Sequence, residues 1–365
     1  MTAIERLLSD WYEQTGAVGA AACLVTQEGV SWSAGIGYAD LKRQEPMDPE
    51  HSIMNIASVS KLITATAVMQ LVETDRLDLD ADLGSYLSFE VKHPFYPNQA
   101  ITARQLLSHT AAIADGTAYW SSFAPGDPTT ELGEWLNRYF NPEGNLPLPE
   151  ERWHLATSPG KQHKYSNVGF GLLGHLVEIV SGINFRSYTK EYIFDPLGMS
   201  SSGWFLADID SSRLACIYAE RSDYYAALAA ESSSTDRWLR LAPYGFPNYP
   251  DGLLRTTIAD LSRFASAMIQ GKSGKTSILK PATLEKMCTG LVPTAYPGLS
   301  QGLGWLQEST IKYPSAWGHD GCDPGVRTRM VVDFKLGCGG IFFTNCSIDV
   351  PDTEGILTAI ENYAP

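Results

Sequence analysis

Strand patterns occur at both ends of the chain, and helix patterns occupy the region between them. Residues 20–25 and 30–37 are two strand patterns joined by a short turn, which predicts a β-hairpin. Four further strand patterns near the C-terminus cover residues 304–307, 316–319, 326–334 and 339–344. This arrangement indicates an α/β fold, in which an antiparallel sheet flanked by helices is built from both termini and carries an inserted, mostly helical domain.

The same pattern predicts the domain boundaries. We expect residues 1–80 and 251–365 to form the α/β sheet domain and residues 81–250 to form the mostly helical domain. An active site would then lie in the cleft between the two domains. The last helix pattern covers residues 353–363.

Two stretches of the predicted helical domain, 117–155 and 218–250, are rich in aromatic residues, Gly and Pro. Long irregular segments of this kind form lids or pocket walls over a site, or are surface elaborations. Trp120, in the first stretch, is a candidate for contact with a substrate.

Charge and hydropathy narrow the classes of partner. The chain has 27 Lys and Arg residues against 41 Asp and Glu residues, a formal net charge of −14, which argues against nucleic acid and anionic membrane surfaces as partners. No apolar run approaches the roughly 18 residues of a membrane span, and the first residues lack the features of a secretory signal. We therefore expect a cytoplasmic protein that acts on a small molecule, and we leave its oligomeric state open.

Metal and cofactor signatures do not stand out. The six cysteines and seven histidines show no zinc-ligand spacing, and no phosphate-binding loop fits its consensus. The sequence therefore predicts neither a metal nor a cofactor, and we expect the cysteines to be reduced thiols.

The stretch from Ser58 to Lys61 follows a short strand-like run and opens an apolar helix pattern over residues 62–72. Because the two residues are three positions apart, a helix places them on one face, one turn apart. A serine at a helix N-terminus, beside an amine that can take its proton, is an activated nucleophile. The alternative is a helix cap next to a solvated lysine.

A lysine can accept this proton only in its neutral form. Its pKa must then fall from about 10.4 to roughly 7–8, which disfavours the cation by about 4 kcal/mol. Burial together with a neighbouring positive charge can supply that shift, so we expect Lys61 to be buried beside such a partner.

Two later segments carry further polar groups in a suggestive context. Tyr165-Ser-Asn167 precedes a helix pattern over residues 168–180, where Asn167 is placed to cap the helix. His319-Asp-Gly321 lies on one of the late strand patterns.

The order Ser-x-x-Lys, Tyr-x-Asn, His-x-Gly resembles that of the serine β-lactamase and DD-peptidase superfamily, particularly its class C-like branch. This branch includes β-lactamase-like esterases, D-amino-acid amidases and peptidases, and acyltransferases. Other segments similar to that family run in order across most of the chain: Leu106–Thr110, Pro159–Gly160, Tyr165–Gly174, Ile193–Met199, Gly302–Trp305 and Pro324–Gly325.

The resemblance implies a role for each matched position. Ser58 attacks a carbonyl to form an acyl-enzyme, while Lys61 and Tyr165 share its proton, either of them serving as the primary base. Tyr165 protonates the leaving group. The backbone N–H groups of Ser58 and Cys322 form the oxyanion hole, in which one donor is typically worth about 2.7–4 kcal/mol in the transition state.

Two matched positions keep more than one interpretation. Asn167 either orients Lys61 or binds a substrate carbonyl, although a helix-capping role alone could explain it. His319 could line the site and pass on the proton of Tyr165, or it could be a structural histidine.

The chain departs from the family pattern after His-x-Gly, and this bears on the substrate. Cys322 and Asp323 occupy a stretch that is usually small and uncharged in the family. Asp323 would disfavour a substrate carboxylate and could attract an amine. Arg327 and Arg329 lie on one face of a strand, where they could bind an anionic group or pair with acidic residues. Gly321 is a further candidate for substrate contact.

These expectations lead to a serine hydrolase that cleaves an ester or amide of a small molecule or peptide through acyl-Ser58. The first alternative is an acyltransferase that uses the same acyl-enzyme. Further alternatives are a β-lactamase or DD-peptidase, and a non-catalytic binding or sensor protein with the same fold.

Overall fold

The structure is a computed structural model. It describes residues 3–140, 148–220, 227–230, 237–275, 278–289, 292–308, 313–351, 355–356 and 358. The helix predicted over residues 353–363 lies mostly outside this set.

The strands include two long antiparallel groups, one near each end of the chain. In chain order they are β1 Gly19–Thr26, β2 Gly29–Asp40, β3 Glu45–Pro46, β4 Met54–Asn55, β5 Ala124–Pro125, β6 Ile217–Glu220, β7 Trp238–Leu241, β8 Tyr244–Gly245, β9 Arg255–Thr256, β10 Val292–Pro293, β11 Leu299–Gln301, β12 Leu306–Glu308, β13 Ala316–Asp323, β14 Val326–Asp333 and β15 Cys338–Thr344.

Most of the helices lie between the two groups of strands. They are α1 Ala3–Thr15, α2 Ser60–Glu73, α3 Ala103–Leu107, α4 Thr117–Trp120, α5 Leu132–Phe140, α6 Pro149–Arg152, α7 Asn167–Ser181, α8 Phe185–Thr189, α9 Asp195–Leu197, α10 Ile258–Lys272 and α11 Pro281–Met287. Two short 3₁₀ turns, Ala57–Val59 and Tyr249–Asp251, frame the site described below.

The largest sheet of the described residues has nine strands in the order β10-β11-β12-β13-β14-β15-β1-β2-β3. Strand β1 pairs antiparallel with β2 on one side and with β15 on the other. The N-terminal hairpin is therefore joined directly to the C-terminal strands. This confirms the predicted fold class, an antiparallel sheet built from both termini and flanked by helices.

Successive side chains of a strand point to opposite faces, and in β1 both of these faces are buried. Ala21 and Cys23 belong to the main hydrophobic core. Ala22 and Leu24 belong to a second cluster, together with Trp11 and other residues of α1. Burial on both faces explains why β1 reads as a nearly continuous apolar run.

Helix α2 lies in the middle of the main core and packs against α7. Its apolar residues occur all round the helix, which is typical of a buried helix. Lys61, in its first turn, is fully buried with the rest. The core thus holds the residues of this turn in fixed positions.

The two aromatic-rich stretches contact each other. Strand β5, of the first stretch, pairs with β8, of the second, and the ring of Phe123 stacks on that of Phe246 with 4.3 Å between centroids. The interpretation of these stretches as a lid or pocket wall stays a prediction. The division of the chain into two domains also stays a prediction.

Among the described residues, no single helix is long and apolar enough to span a membrane. The pair Asn167–Ser181 and Phe185–Leu197 meets that criterion only jointly, with a bend of 82° between its members.

Candidate active site

Ser58 lies in the 3₁₀ turn that leads into α2. The preceding residue, Ala57, has a φ of +46°, a left-handed conformation that costs a non-glycine residue of order 1–3 kcal/mol. Its N–H donates to Oδ1 of Asn55 at 2.6 Å, and both residues are buried. The turn is therefore strained and held in place by the surrounding structure, as is common for residues that present a functional group.

The amine of Lys61 contacts three oxygen atoms. Its Nζ lies 2.9 Å from Oγ of Ser58, 2.7 Å from Oδ1 of Asn167 and 2.8 Å from the carbonyl oxygen of Asp251. The side chain of Lys61 is fully buried. The structure thus brings Ser58, Lys61 and Asn167 together as the sequence predicts, and adds Asp251.

The charges around Lys61 differ from the prediction. The expected cationic neighbour is not found among the described residues in contact with the amine; instead, Oδ2 of Asp251 lies 3.9 Å away. Burial lowers the pKa of Lys61, but the charges of Tyr165, Asp251 and Asp323 outweigh it, so that the net shift of the pKa is upward. The prediction of a cationic partner is wrong, because carboxyl groups occupy this side of the lysine.

Tyr165 covers the amine from the side of the helical region. Nζ of Lys61 lies 5.0 Å from the centroid of its ring, and the ring stacks on His109 at 4.3 Å. The residue is 38 % exposed, so one edge of the ring faces solvent. Burial of the hydroxyl raises the pKa of Tyr165, and its interactions with Lys61 and Ser58 offset part of the rise.

Asn167 is the first residue of α7, but it does not cap the helix. The capping side chain is that of Ser166, whose Oγ accepts from the N–H of Gly169 at 3.1 Å. Asp115 accepts from the N–H groups of Asn167 and Val168 as well. The capping role predicted for Asn167 is wrong, because its side chain is engaged by Lys61 instead.

His319 lies on β13, buried near Tyr165, with 6.2 Å between the ring centroids. Its Nδ1 lies 2.6 Å from the carbonyl oxygen of Asp320, which fixes the proton on Nδ1, since a carbonyl oxygen can only accept. Burial, reinforced by the charge of Lys61, lowers the pKa of His319 to about 4. His319 is therefore neutral at pH 7. The lone pair of its buried Nε2 accepts no hydrogen bond from the described residues.

Strand β13 passes close to the turn that carries Ser58, and Gly321 makes this possible. A Cβ at Gly321 would lie 2.1 Å from Oγ1 of Thr328 and 2.4 Å from the carbonyl oxygen of Ile56. The structure thus gives Gly321 a packing role in the approach of β13 to the turn. The side chain of Cys322, the next residue, is on the exposed side of the strand.

Asp323 is on the same strand face as His319 and Gly321. Its Oδ2 is buried, with no hydrogen-bond partner among the described residues, and a Cβ at Gly252 would lie 3.3 Å from it. Burial and the charge of Asp251 raise the pKa of Asp323 well above its usual range. This oxygen therefore faces Gly252 rather than an open cleft, and the role of Asp323 in disfavouring a substrate carboxylate stays a prediction.

The remaining candidates, Arg327 and Trp120, have other partners. Arg327 donates to the carbonyl oxygen of Asp323 at 3.1 Å, and its Nε lies 3.4 Å from Oδ1 of Asp349. Trp120 is 51 % exposed, and its Nε1 donates to the carbonyl oxygen of Asp115. Neither side chain contacts Lys61.

Sequence reasoning missed Asp251 and Tyr119. The hydroxyl of Tyr119 donates to Oδ2 of Asp251 at 2.6 Å, and both residues are buried. Tyr119 is in the first aromatic-rich stretch, next to the candidate Trp120. The only signal for Asp251 was a Pro-Asp-Gly turn, which does not specify what the carboxyl group faces.

Comparison with known proteins places this site in a family. The model of the Beta-lactamase family matches residues 4–364. The chain belongs to the Beta-lactamase family. This confirms the resemblance to the serine β-lactamase and DD-peptidase superfamily.

Members of this family and proteins of the same fold have several activities. Penicillin-binding protein 4* of Bacillus subtilis (strain 168) is 26 % identical over 348 residues, which cover 89 % of this chain and 68 % of that protein. EstCE1, a hydrolase with promiscuous acyltransferase activity, superposes with a TM-score of 0.78 at 20 % identity, with 99 % of this chain and 98 % of that chain covered. The D-amino acid amidase from Ochrobactrum anthropi SV3, complexed with D-phenylalanine, gives a TM-score of 0.77 at 22 % identity, with 99 % of both chains covered.

The two structural likenesses show the fold alone. Among the curated relatives, the chain spans 68 % of the length of the B. subtilis protein. It spans 60 % of the length of two others. Family membership supports an enzyme of the serine hydrolase type.

Proposed function

We propose that this protein is a serine hydrolase that cleaves an ester or amide of a small molecule or peptide through an acyl-enzyme on Ser58. The observation that carries the proposal is the set of three contacts around the Lys61 amine. Nζ lies 2.9 Å from Oγ of Ser58, within reach for proton transfer.

The other two contacts orient this amine. Oδ1 of Asn167 and the carbonyl oxygen of Asp251 are acceptors only. At pH 7 Lys61 is an ammonium, because its pKa is raised, and its three N–H bonds donate to these two oxygens and to Oγ of Ser58. Once it has lost a proton, the amine has two N–H bonds and one lone pair, and these two oxygens use both N–H bonds. The lone pair is then left for the hydroxyl of Ser58. A helix cap beside a solvated lysine would not need such an arrangement, and Lys61 is not solvated.

The chemistry follows from these positions. Oγ of Ser58 attacks the carbonyl carbon as its proton passes to the unit formed by Lys61 and Tyr165, and the N–H groups of Ser58 and Cys322 bind the oxyanion. Tyr165 returns a proton to the leaving alcohol or amine. Water then attacks the acyl group by the reverse sequence and frees Ser58.

The charges support substrates that are uncharged or carry an amine near the scissile carbonyl. The carboxyl groups of Asp251 and Asp323 have buried oxygen atoms near Lys61, so they can act on a substrate only through their charge. The arginines that could bind a substrate carboxylate are engaged, since Nη2 of Arg329 lies 2.6 Å from Oδ2 of Asp320 and Arg327 pairs with Asp349. We therefore propose poor turnover of β-lactams and of other substrates with a free carboxylate.

Covalent labelling tests this proposal. The protein is incubated with a fluorophosphonate and its intact mass is measured, then turnover is followed on uncharged, amine-bearing and carboxylate-bearing chromogenic esters and on a cephalosporin. We expect one phosphonyl adduct and loss of turnover in the wild type, and neither labelling nor turnover in Ser58→Ala.

Ser60→Ala is the matched control. Oγ of Ser60 accepts from the N–H of Leu254 at 3.1 Å in the interior, so this variant removes a nearby hydroxyl without removing the proposed nucleophile. Labelling of folded Ser58→Ala at the wild-type rate would overturn the proposal. An alcohol added to the same assay measures how much of the acyl group is transferred rather than hydrolysed.

A further inference from the structure

A pair of buried carboxyl groups lies behind the Lys61 amine and has no part in the steps above. Asp251 is 1 % exposed; Tyr119 donates to its Oδ2 at 2.6 Å, and the buried side chain of Asn248 also interacts with this carboxyl group. Asp323 has a buried oxygen without a hydrogen-bond partner among the described residues, which faces Gly252, the residue after Asp251. Buried polar groups without partners are costly, so they call for an explanation.

Asp251 contacts Lys61 through both its main chain and its side chain. Its carbonyl oxygen accepts from Nζ at 2.8 Å, and its Oδ2 lies 3.9 Å from Nζ. The first contact fixes the direction of one N–H bond. The second places a titratable group next to an amine that is shielded from solvent.

We propose that Asp251 is a positioning residue for the acylation of Ser58: its carbonyl oxygen directs the Lys61 amine, and its carboxyl group, with that of Asp323, sets the pH at which this amine loses its proton. This inference rests on the proposed function. In the balanced sequence, the Lys61 ammonium first gives a proton to solvent. The neutral amine then takes the proton of Ser58 as Oγ bonds to the carbonyl carbon. The bond to the leaving group breaks as Tyr165 gives that group a proton, and the Lys61 ammonium passes its proton to Tyr165.

The carboxyl groups act on this step through their charge. Burial raises the pKa of Asp251 to about 7, so above this pH it is an anion beside Lys61. An anion within about 4–6 Å favours the charged form of a neighbour and shifts its pKa by roughly 1–3 units. The amine therefore keeps its proton to higher pH than it would without Asp251.

The other titratable groups around Lys61 are Tyr165, Asp115, His109 and His319. The pKa of His109 is lowered well below its usual range by burial and by the charges of His163 and Lys61, and that of His319 falls to about 4. Both imidazoles are thus neutral at and above pH 7. Asp115 faces the N–H groups at the start of α7. Tyr165 shares the proton with Lys61 and titrates together with it.

The test is the pH dependence of kcat/KM for an uncharged chromogenic ester, from pH 6 to 11, in wild type, Asp251→Asn and Asp323→Asn. Both substitutions conserve size and remove one carboxyl group. In the wild type we expect kcat/KM to decline toward low pH along an acid limb whose midpoint lies at alkaline pH. This midpoint should move to lower pH by roughly 1–3 pH units in Asp251→Asn. It should move by a smaller amount in the same direction in Asp323→Asn.

Asp260→Asn is the control, because this buried carboxyl group binds Ser201 and Ser202 rather than Lys61. A purely structural role of Asp251 would lower kcat/KM at every pH and leave the limb in place, and that result would overturn the inference.

If Asp251→Asn does not fold, an unmoved limb in Asp323→Asn has the same meaning. Fluorophosphonate labelling of Ser58 in all three variants separates this failure from failure of the proposed function, which would abolish labelling in the wild type.

Discussion

Nζ of Lys61 lies 2.7 Å from Oδ1 of Asn167, and this contact joins the first turn of α2 to the first turn of α7. Because Asn167 Oδ1 can only accept, it fixes one N–H bond of the amine. The direction of the remaining bonds, and with it the approach to Ser58, depends on this contact.

Asn167→Ala should therefore slow acylation. Without the amide oxygen the amine can turn away from Ser58, and we expect a loss of roughly 10²-fold, the usual scale for a misplaced general base. Pre-steady-state release of a chromogenic leaving group measures the rate. Ser166→Ala is the control, since it removes the true helix cap at a cost of about 1 kcal/mol in stability and leaves the amine untouched. Equal rates in both variants would contradict the role of Asn167.

Lys61 and Tyr165 should behave as one unit. Lys61→Ala and Tyr165→Phe are each expected to lower the acylation rate by at least about 10²-fold. In the double variant the effects should not multiply, because both groups handle the same proton. A double-mutant cycle on the acylation rate checks this, and independent, multiplying effects would argue against a shared proton.

Gly321→Ala should impair both the fold and the site. The added Cβ would meet Oγ1 of Thr328 and the carbonyl oxygen of Ile56 at distances that real Cβ atoms do not adopt, so β13 must move away from the Ser58 turn. We expect a lower melting temperature and a loss of labelling at Ser58. Gly84→Ala is the control, because its Cβ would make only ordinary contacts. Wild-type labelling in Gly321→Ala would show that the strand does not need this close approach.

The sequence predicted the parts of the site that are local in the chain. Ser58 and Lys61 are three positions apart at a helix start, and Tyr165 and Asn167 precede a helix, so their types and spacing are informative without a structure. Asp251 is different, since its contact with Lys61 joins residues 190 positions apart. The charge around Lys61 was mispredicted for that reason.

The fold could be predicted because its signal is also local. The apolar runs of β1 and β15 and the long helix patterns of α2 and α7 each identify an element on its own. The capping of α7 could not be assigned between neighbours, because Ser166 and Asn167 are both good caps. In the structure Lys61, from a distant segment, donates to the side chain of Asn167, so that Ser166 is the cap.

His319 should make the protein less stable in mild acid. Its pKa is about 4 in the folded state and about 6.5 when unfolded, so between these values the unfolded state binds more protons and stability falls as the pH falls. The contribution lost by pH 5 is about 2 kcal/mol. In His319→Gln the difference in unfolding free energy between pH 7 and pH 5 should shrink by this amount, measured by urea denaturation. An unchanged difference would show that His319 is not buried as a neutral ring.

Ser58 is expected to carry the acyl group during turnover, and this group can be trapped on the protein. The protein is mixed with an excess of chromogenic ester, quenched in acid during the first turnovers, digested and analysed by mass spectrometry. We expect a peptide containing Ser58 that is heavier by the acyl group, and no such peptide in Ser58→Ala. An acyl group on another residue, or undiminished turnover in folded Ser58→Ala, would contradict it.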